Sequence, residues 1–179
     1  MSSVPQPLLP TIFGLHLGRL PSKEAGESPI VVSDTTVQEI QFNVMPDRSV
    51  TEMLRPTEYR VWHRQVEAEF SREYFSSMIN SPDHLIFLTA LIQVQRISYI
   101  YMCFEFGLPY EPHSPERLKI WPTSVRVAMP QMVTEKHGLV HRLKMKTVRR
   151  CGEKRFFAES DSDVNGIITI EASALVYLL

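Results

Sequence analysis

Residues 85–106 run without a glycine or proline, and apolar side chains fall on nearly every side of that stretch: Leu85, Ile86, Phe87, Leu88, Leu91, Ile92, Val94, Ile97, Ile100, Met102 and Phe104. Such a helix is stable in water only where other elements cover it, so the pattern predicts a long central helix wrapped by the remainder of the fold. Asn80-Ser81-Pro82-Asp83 reads as its start: Ser81 can accept a backbone N–H, Pro82 suits the first helical position, and Asp83 favours the positive end of the dipole. Gly107 and Pro109 read as its stop. The apolar run is too short to span a bilayer.

Beyond the helix the chain alternates with the period of a strand. Val125, Val127 and Met129 share one face; so do Leu139, His141, Leu143, Met145 and Thr147, with Arg142, Lys144 and Lys146 opposite. Cys151-Gly152-Glu153-Lys154 predicts a turn, and Asn165-Gly166 predicts a type I′ hairpin. Ile168, Ile170, Ala172, Ala174, Val176 and Leu178 line one side of the last strand. Together these predict a four-strand meander lying on the helix. Ahead of the helix, residues 59–70 read as one strand with Trp62, Val66, Ala68 and Phe70 on a common face. Residues 1–55 read as an N-terminal arm rich in proline, with an early strand somewhere in 30–45 and an apolar Ile12-Phe13-Gly14-Leu15 that can dock on the domain. Residues 56–179 read as the folded domain.

With 179 residues, 44% of them hydrophobic, the chain has the size and composition of one globular domain. Its net charge of −1 argues against a dedicated nucleic-acid binder. Cys103 and Cys151 form no disulfide framework or zinc spacing, and no secretory leader is evident, so a reducing, cytoplasmic setting is expected. The histidines show no metal spacing, and no GxGxxG, P-loop or GxSxG motif occurs, so no cofactor is expected.

A strand, one long apolar helix and four antiparallel strands is the order of the α+β hotdog fold, in which an antiparallel sheet wraps a central helix. The resemblance covers residues 57–179. Ser81-Pro82-Asp83-His84-Leu85, followed by Ala90 and Gln93-Val94-Gln95-Arg96, resembles the helix start of three hotdog groups: β-hydroxyacyl-carrier-protein dehydratases, A-factor biosynthesis proteins and fatty acyl thioesterases. A cone-shaped fold of the nuclear-transport-factor type competes, but it places helices before the sheet and none is evident here. The resemblance implies a homodimer and an acyl-pantetheine substrate on acyl carrier protein or coenzyme A. It leaves open β-elimination, thioester hydrolysis and acyl transfer, with elimination favoured because of His84, and also a hotdog partner protein that has lost catalysis.

Within that frame His84 is the candidate base, beside helix N–H groups that would hold an oxyanion. The other reading of His84 is a first-turn histidine bonded to a neighbouring loop. A dehydratase also needs an acid, and no carboxylate occurs between His84 and Phe104; Gln93 and Gln95 stand where one is expected, and Asp83 is a possible substitute or simply a helix-start charge. Tyr74, in an expected loop, would orient a carbonyl or cap a core edge. Thr89, Gln93 and Arg96 form one polar stripe, with Gln95 and Ser98 on another side, and they line either a substrate tunnel or a subunit interface. His84 and Gln93 lie ~13 Å apart at 1.5 Å per residue, so they share a site only across a dimer. Arg149, Arg150 and neighbouring basic residues suit an acidic carrier or coenzyme A phosphates, or else form a solvated sheet face without the interleaved aromatics of a nucleic-acid surface.

Overall fold

The structure, a computed structural model, describes residues 20–33, 39–43, 45, 47, 49–80, 83–110 and 117–179. Ile12-Phe13-Gly14-Leu15, Ser81 and Pro82 lie outside them. The elements are β1 (Ile30–Ser33), β2 (Ile40–Asn43), β3 (Val50–Trp62), β4 (Gln65–Ser76), α1 (Phe87–Glu105), β5 (Leu118–Ala128), β6 (Leu139–Arg150), β7 (Arg155–Val164) and β8 (Ile168–Leu178). They form one helix on an eight-stranded antiparallel sheet of order β1-β3-β4-β6-β7-β8-β5, with β2 also pairing along β3.

Several expectations are corrected. Residues 59–70 are two strands, because the chain reverses between Trp62 and Gln65 with Arg64 at φ 59°. Neither His63 nor Arg64 announces a turn; a tertiary hydrogen bond holds it, Met145 N–H donating to the Arg64 carbonyl at 2.8 Å. The early strand is in fact two, β1 and β2, which cover successive halves of β3's outer edge. The last four strands are not a meander: β6, β7 and β8 run consecutively, but β5 pairs only with β8 at the far edge. The helical connection therefore carries the chain from β4 past three strands before the sheet resumes.

The helix also differs from its prediction at its beginning. Leu85 N–H donates to the Val133 carbonyl (2.7 Å) and Ile86 N–H to Glu52 Oε2 (3.0 Å). Those partners hold residues 83–86 out of the helix, and Ile86 is extended, at φ −80° and ψ 129°. The other end is as predicted. Gly107 adopts φ 64°, its N–H reaches the Phe104 carbonyl, and Leu108 N–H reaches the Cys103 carbonyl: a Schellman closure. Nor is α1 wrapped all round. Thr89, Gln93, Ile97, Ile100 and Tyr101 are buried, whereas Phe87 and Leu88 are 43% and 38% exposed.

The Asn165-Gly166 turn forms with both residues at positive φ (50° and 71°) and Ile167 N–H donating to the Val164 carbonyl. The core lies between α1 and the sheet's inner face. One cluster gathers Leu54, Phe70, Leu85, Val94 and Leu139 near the helix start, another Tyr59, Val66, Ile97, Ile100 and Leu143 near its end. Among the described residues no helix is long and apolar enough to cross a membrane, and no group of three or more His, Cys, Asp or Glu could hold a metal ion.

Candidate functional site

Along α1, Leu88, Leu91, Ile92, Gln95, Ser98 and Met102 recur every three or four residues and form one stripe, ~21 Å long at 1.5 Å per residue. Opposite that stripe the inner positions of two adjacent strands are short: Ala158 and Ser160 on β7, Ala172 and Ala174 on β8. Register makes these four a block, Ala158 facing Ala174 and Ser160 facing Ala172. Larger inner residues elsewhere set the helix height, so the gap above this block stays open as a cavity of about 300 Å³. Val125 and Ile120 of β5 close one side, Met145 and Val176 the deep side. Among the described residues no Asp, Glu, His, Lys, Arg or Cys side chain lines it. Gln95, Ser98, Ser160 and Ser173 are its polar residues among those described. A concave, mostly apolar space with a few convergent polar groups is what a small-ligand site requires.

A second feature lies at the start of α1, built by charges at apolar positions. Glu52 occupies the inner phase of β3 between Val50 and Leu54, and Arg72 that of β4 beyond Phe70; both are fully buried. Arg72 Nη1 lies 3.4 Å from Glu52 Oε1 and 2.8 Å from Asp83 Oδ1, while Nε and Nη2 donate to the carbonyls of Glu135 and Thr134. Lys136 Nζ lies 2.8 Å from Asp83 Oδ2. Arg72 thus ties the approach to α1 and the β5–β6 connection to the sheet. Burial pushes the Glu52 carboxyl up; Thr89, the Ile86 N–H and Arg72 oppose that only in part. The Thr89 hydroxyl makes no well-formed hydrogen bond among the described residues, yet stands close enough to Glu52 to lower it.

These contacts change the chemistry expected there. His84 precedes the helix by three residues instead of opening its first turn, is half-buried, and does not line the cavity. The Ile86 N–H expected to hold an oxyanion already donates to Glu52. Burial alone would raise the Asp83 carboxyl, but hydrogen bonds and charge from Lys136 and Arg72 outweigh it and hold it below the usual carboxylate range. A carboxylate held ionised is a poor acid, so Asp83 does not replace the missing helix carboxylate.

The third feature bridges helix and sheet. Gln93 Oε1 lies 3.1 Å from His141 Nδ1, and His141 Nε2 lies 3.2 Å from Ser162 Oγ. All three residues are buried, and burial lowers His141 to about 3. Gln93 therefore reaches His141 of its own chain. Gln93 Nε2 has no hydrogen-bond partner among the described residues.

The remaining candidates scatter. Tyr74 lies within β4, not in a loop, opposite Glu52. Arg96 approaches Tyr59 and Tyr110 on a helix face away from the cavity. Arg149 stacks over Phe157 at 4.8 Å, and Arg150 donates to the carbonyls of Gly152 and Glu153, so both brace the β6–β7 turn. The basic outer face is largely neutralised: Lys146 meets Asp161 at 2.6 Å and Arg142 meets Asp163 at 3.5 Å. Of the residues expected to line a substrate tunnel, Gln95 and Ser98 line the cavity. Sequence reasoning misses Glu52 and Arg72, whose one signal is that each breaks an apolar alternation, and it marks His141 only as an inner-face strand residue.

No family model and no curated protein matches the sequence. Among solved structures it is similar to a mutant thioesterase from Pseudomonas aeruginosa (TM-score 0.44, 6% identity, 69% of this chain and 82% of that one). It is similar also to a putative thioesterase from Lactococcus lactis (0.40, 9%, 79% and 91%) and a thioesterase from Haemophilus influenzae (0.38, 11%, 81% and 82%). Likeness this slight carries no argument about this chain; its own strand order and cavity do.

Proposed function

We propose that this chain is a hotdog-type protein that processes acyl thioesters, holding the acyl chain in the cavity between α1 and β5, β7 and β8. The observation that carries the reading is the cavity: an apolar slot of about 300 Å³ beneath one helix stripe, with no ionisable side chain among the described residues of its lining. It suits an unbranched hydrocarbon chain and would penalise a charged one. The element order β4-α1-β5-β6-β7-β8, with β5 returned to the far edge, supports the fold. The pantetheine arm, on coenzyme A or a carrier protein in a cytoplasmic setting, would remain outside. Beside the slot, β5 presents an edge that is unpaired among the described residues, with Trp121 and Val125 69% and 46% exposed, which suits pairing with a second copy.

Hydrolysis is the reaction we favour. Elimination needs an acid at the β-oxygen as well as a base at the α-carbon, and among the described residues no carboxyl group lines the slot. A binding module without catalysis is the second reading, favoured by the same lining. Calorimetry with non-hydrolysable acyl-pantetheine thioethers tests the shared part: affinity should rise by about 0.8 kcal/mol per methylene until the slot is full, then level off. Affinity independent of chain length would sink it. Thiol release from saturated and β-hydroxyacyl thioesters alike then identifies hydrolysis, loss of water from the β-hydroxy species identifies elimination, and binding without turnover leaves the module.

A further inference from the structure

His141 stands in series with a hydroxyl and an orienting amide, the arrangement that covalent acyl transfer uses. Ser162 Oγ is 3.2 Å from Nε2, and Gln93 Oε1 is 3.1 Å from Nδ1. With Nδ1–H donating to the amide oxygen, the Nε2 lone pair faces the Ser162 hydroxyl. This series adjoins the slot: Ser160, two residues before Ser162 on the same strand face, lines it, as do Ile92 and Val94 on either side of Gln93. A bridge serving structure alone would be expected to satisfy its buried polar atoms, yet Gln93 Nε2 has no partner among the described residues.

Resting on the acyl-thioester reading above, we infer that Ser162 is the acyl-accepting nucleophile, His141 its base, and Gln93 the positioning residue for His141. Ser162 Oγ bonds to the carbonyl carbon while the carbon–sulfur bond breaks. His141 Nε2 takes the hydroxyl proton and delivers it to the leaving sulfur. Water then attacks the acyl-serine ester, His141 takes a proton from that water, and it returns a proton to Ser162 Oγ as the carboxylic acid departs. Thioester and water become acid and thiol. Ser162 is only 6% exposed, so the thioester approaches over Ser160 along the cavity floor. Burial holds His141 at about 3, so the imidazole is neutral and able to accept a proton across neutral pH, but it is a weak base. Turnover should be slow and should lack the ordinary histidine limb near pH 6.5.

The test is acid-quenched mass spectrometry of the full chain with decanoyl-coenzyme A, alongside thiol release and binding of the matching thioether. We expect a decanoyl adduct on the peptide carrying Ser162. Ser162→Ala should lose it and drop turnover by at least about 100-fold while binding the thioether like the parent; Ser162→Cys should regain the adduct. Undiminished turnover by Ser162→Ala, an adduct on another residue, or thioether binding without any turnover by the parent each overturns the nucleophile and spares the acyl-binding reading. Failure of the parent to bind the thioether overturns both.

Discussion

Beneath α1 the inner positions of β4 and β6 carry Val66, Phe70, Leu139 and Leu143, whereas those of β7 and β8 carry Ala158, Ser160, Ala172 and Ala174. The first half is filled to the helix and the second is hollow. Interiors are packed nearly as densely as organic crystals, so an opening of about 300 Å³ is something a chain must build in. The polar residues divide along the same line. Glu52, Arg72, Thr89, Gln93 and His141 lie on the filled side, while the buried polar residues of β7 are Ser160 and Ser162, the latter bonded across to His141. The hollow side has no buried charge to satisfy. Filling fixes where the helix lies; the short block then leaves room beneath it.

The largest effect expected from this contrast is acid sensitivity of the filled half. His141 is lowered from 6.5 to about 3 by burial, so across that window the folded chain binds fewer protons than the unfolded one. Its contribution is complete above about pH 6.5 and is lost as pH falls toward 3, at roughly 5 kcal/mol in total. Asp83, held below its usual value, acts in the same direction at lower pH; Glu52, pushed up, acts oppositely. Urea unfolding at a series of pH values should show the loss in the parent. His141→Phe should show a flatter acid limb from a start about 1–3 kcal/mol lower, Gln93 and Ser162 having lost their partner. A parent curve level from pH 7 to 4 would remove His141 from the filled half's anchors.

Next comes the charge hub. Arg72→Met leaves Glu52 buried beside no cation and strips the Thr134 and Glu135 carbonyls of their donor. A loss of about 3–5 kcal/mol at neutral pH is expected, shrinking in mild acid as Glu52 takes up a proton. Denaturant midpoints at two pH values check both parts, and an equal loss at each would mean that the carbonyl contacts carry the effect. The hollow half should respond in the reverse sense. Ala172→Phe places a ring where nothing stands, so acyl-thioether affinity should fall at least about 100-fold while the melting temperature holds or rises. Leu139→Ala on the filled half should cost about 2–5 kcal/mol and leave the chain-length dependence of binding intact. If Ala172→Phe unfolds the protein, the slot is smaller than its lining implies.

Some of this is legible in the sequence because it is local. Asn165-Gly166 sets a turn by its own backbone preference, Gly107 closes α1, and the alternation from Ile168 to Val176 declares a strand and its inner face. The helix start is not legible, since Ser81-Pro82-Asp83 is a sound local signal that Val133 and Glu52 override from other elements. The Trp62–Gln65 reversal is hidden for the same reason, its support coming from Met145. The candidate site falls between these cases. Ala172 and Ala174 stand plainly on the inner phase of β8, but they hollow a cavity only because register sets Ala158 and Ser160 beside them. Gln93 stands out as a polar residue on a buried helix; that His141 and not a partner subunit satisfies it follows from the β4–β6 pairing, which no local pattern specifies.

The smallest effect concerns Gln95, at the exposed rim of the helix stripe. If the acyl chain simply slides past it, the amide must shed water as the ligand enters and gains nothing in return. Gln95→Leu would then continue the stripe of Leu91, Ile92 and Met102, and thioether affinity should rise by about two- to fivefold with the chain-length slope unchanged. An amide that instead holds the thioester or its pantetheine arm would make the same substitution harmful, by about tenfold or more, because a bound polar group would lose its partner. Calorimetry on the single variant separates the two by sign alone. A rise keeps the slot passive, its chemistry coming from Ser162 of β7 backed by His141 and Gln93 of the filled side; a fall moves the reacting end of the ligand out to the rim, beyond the reach of Ser162.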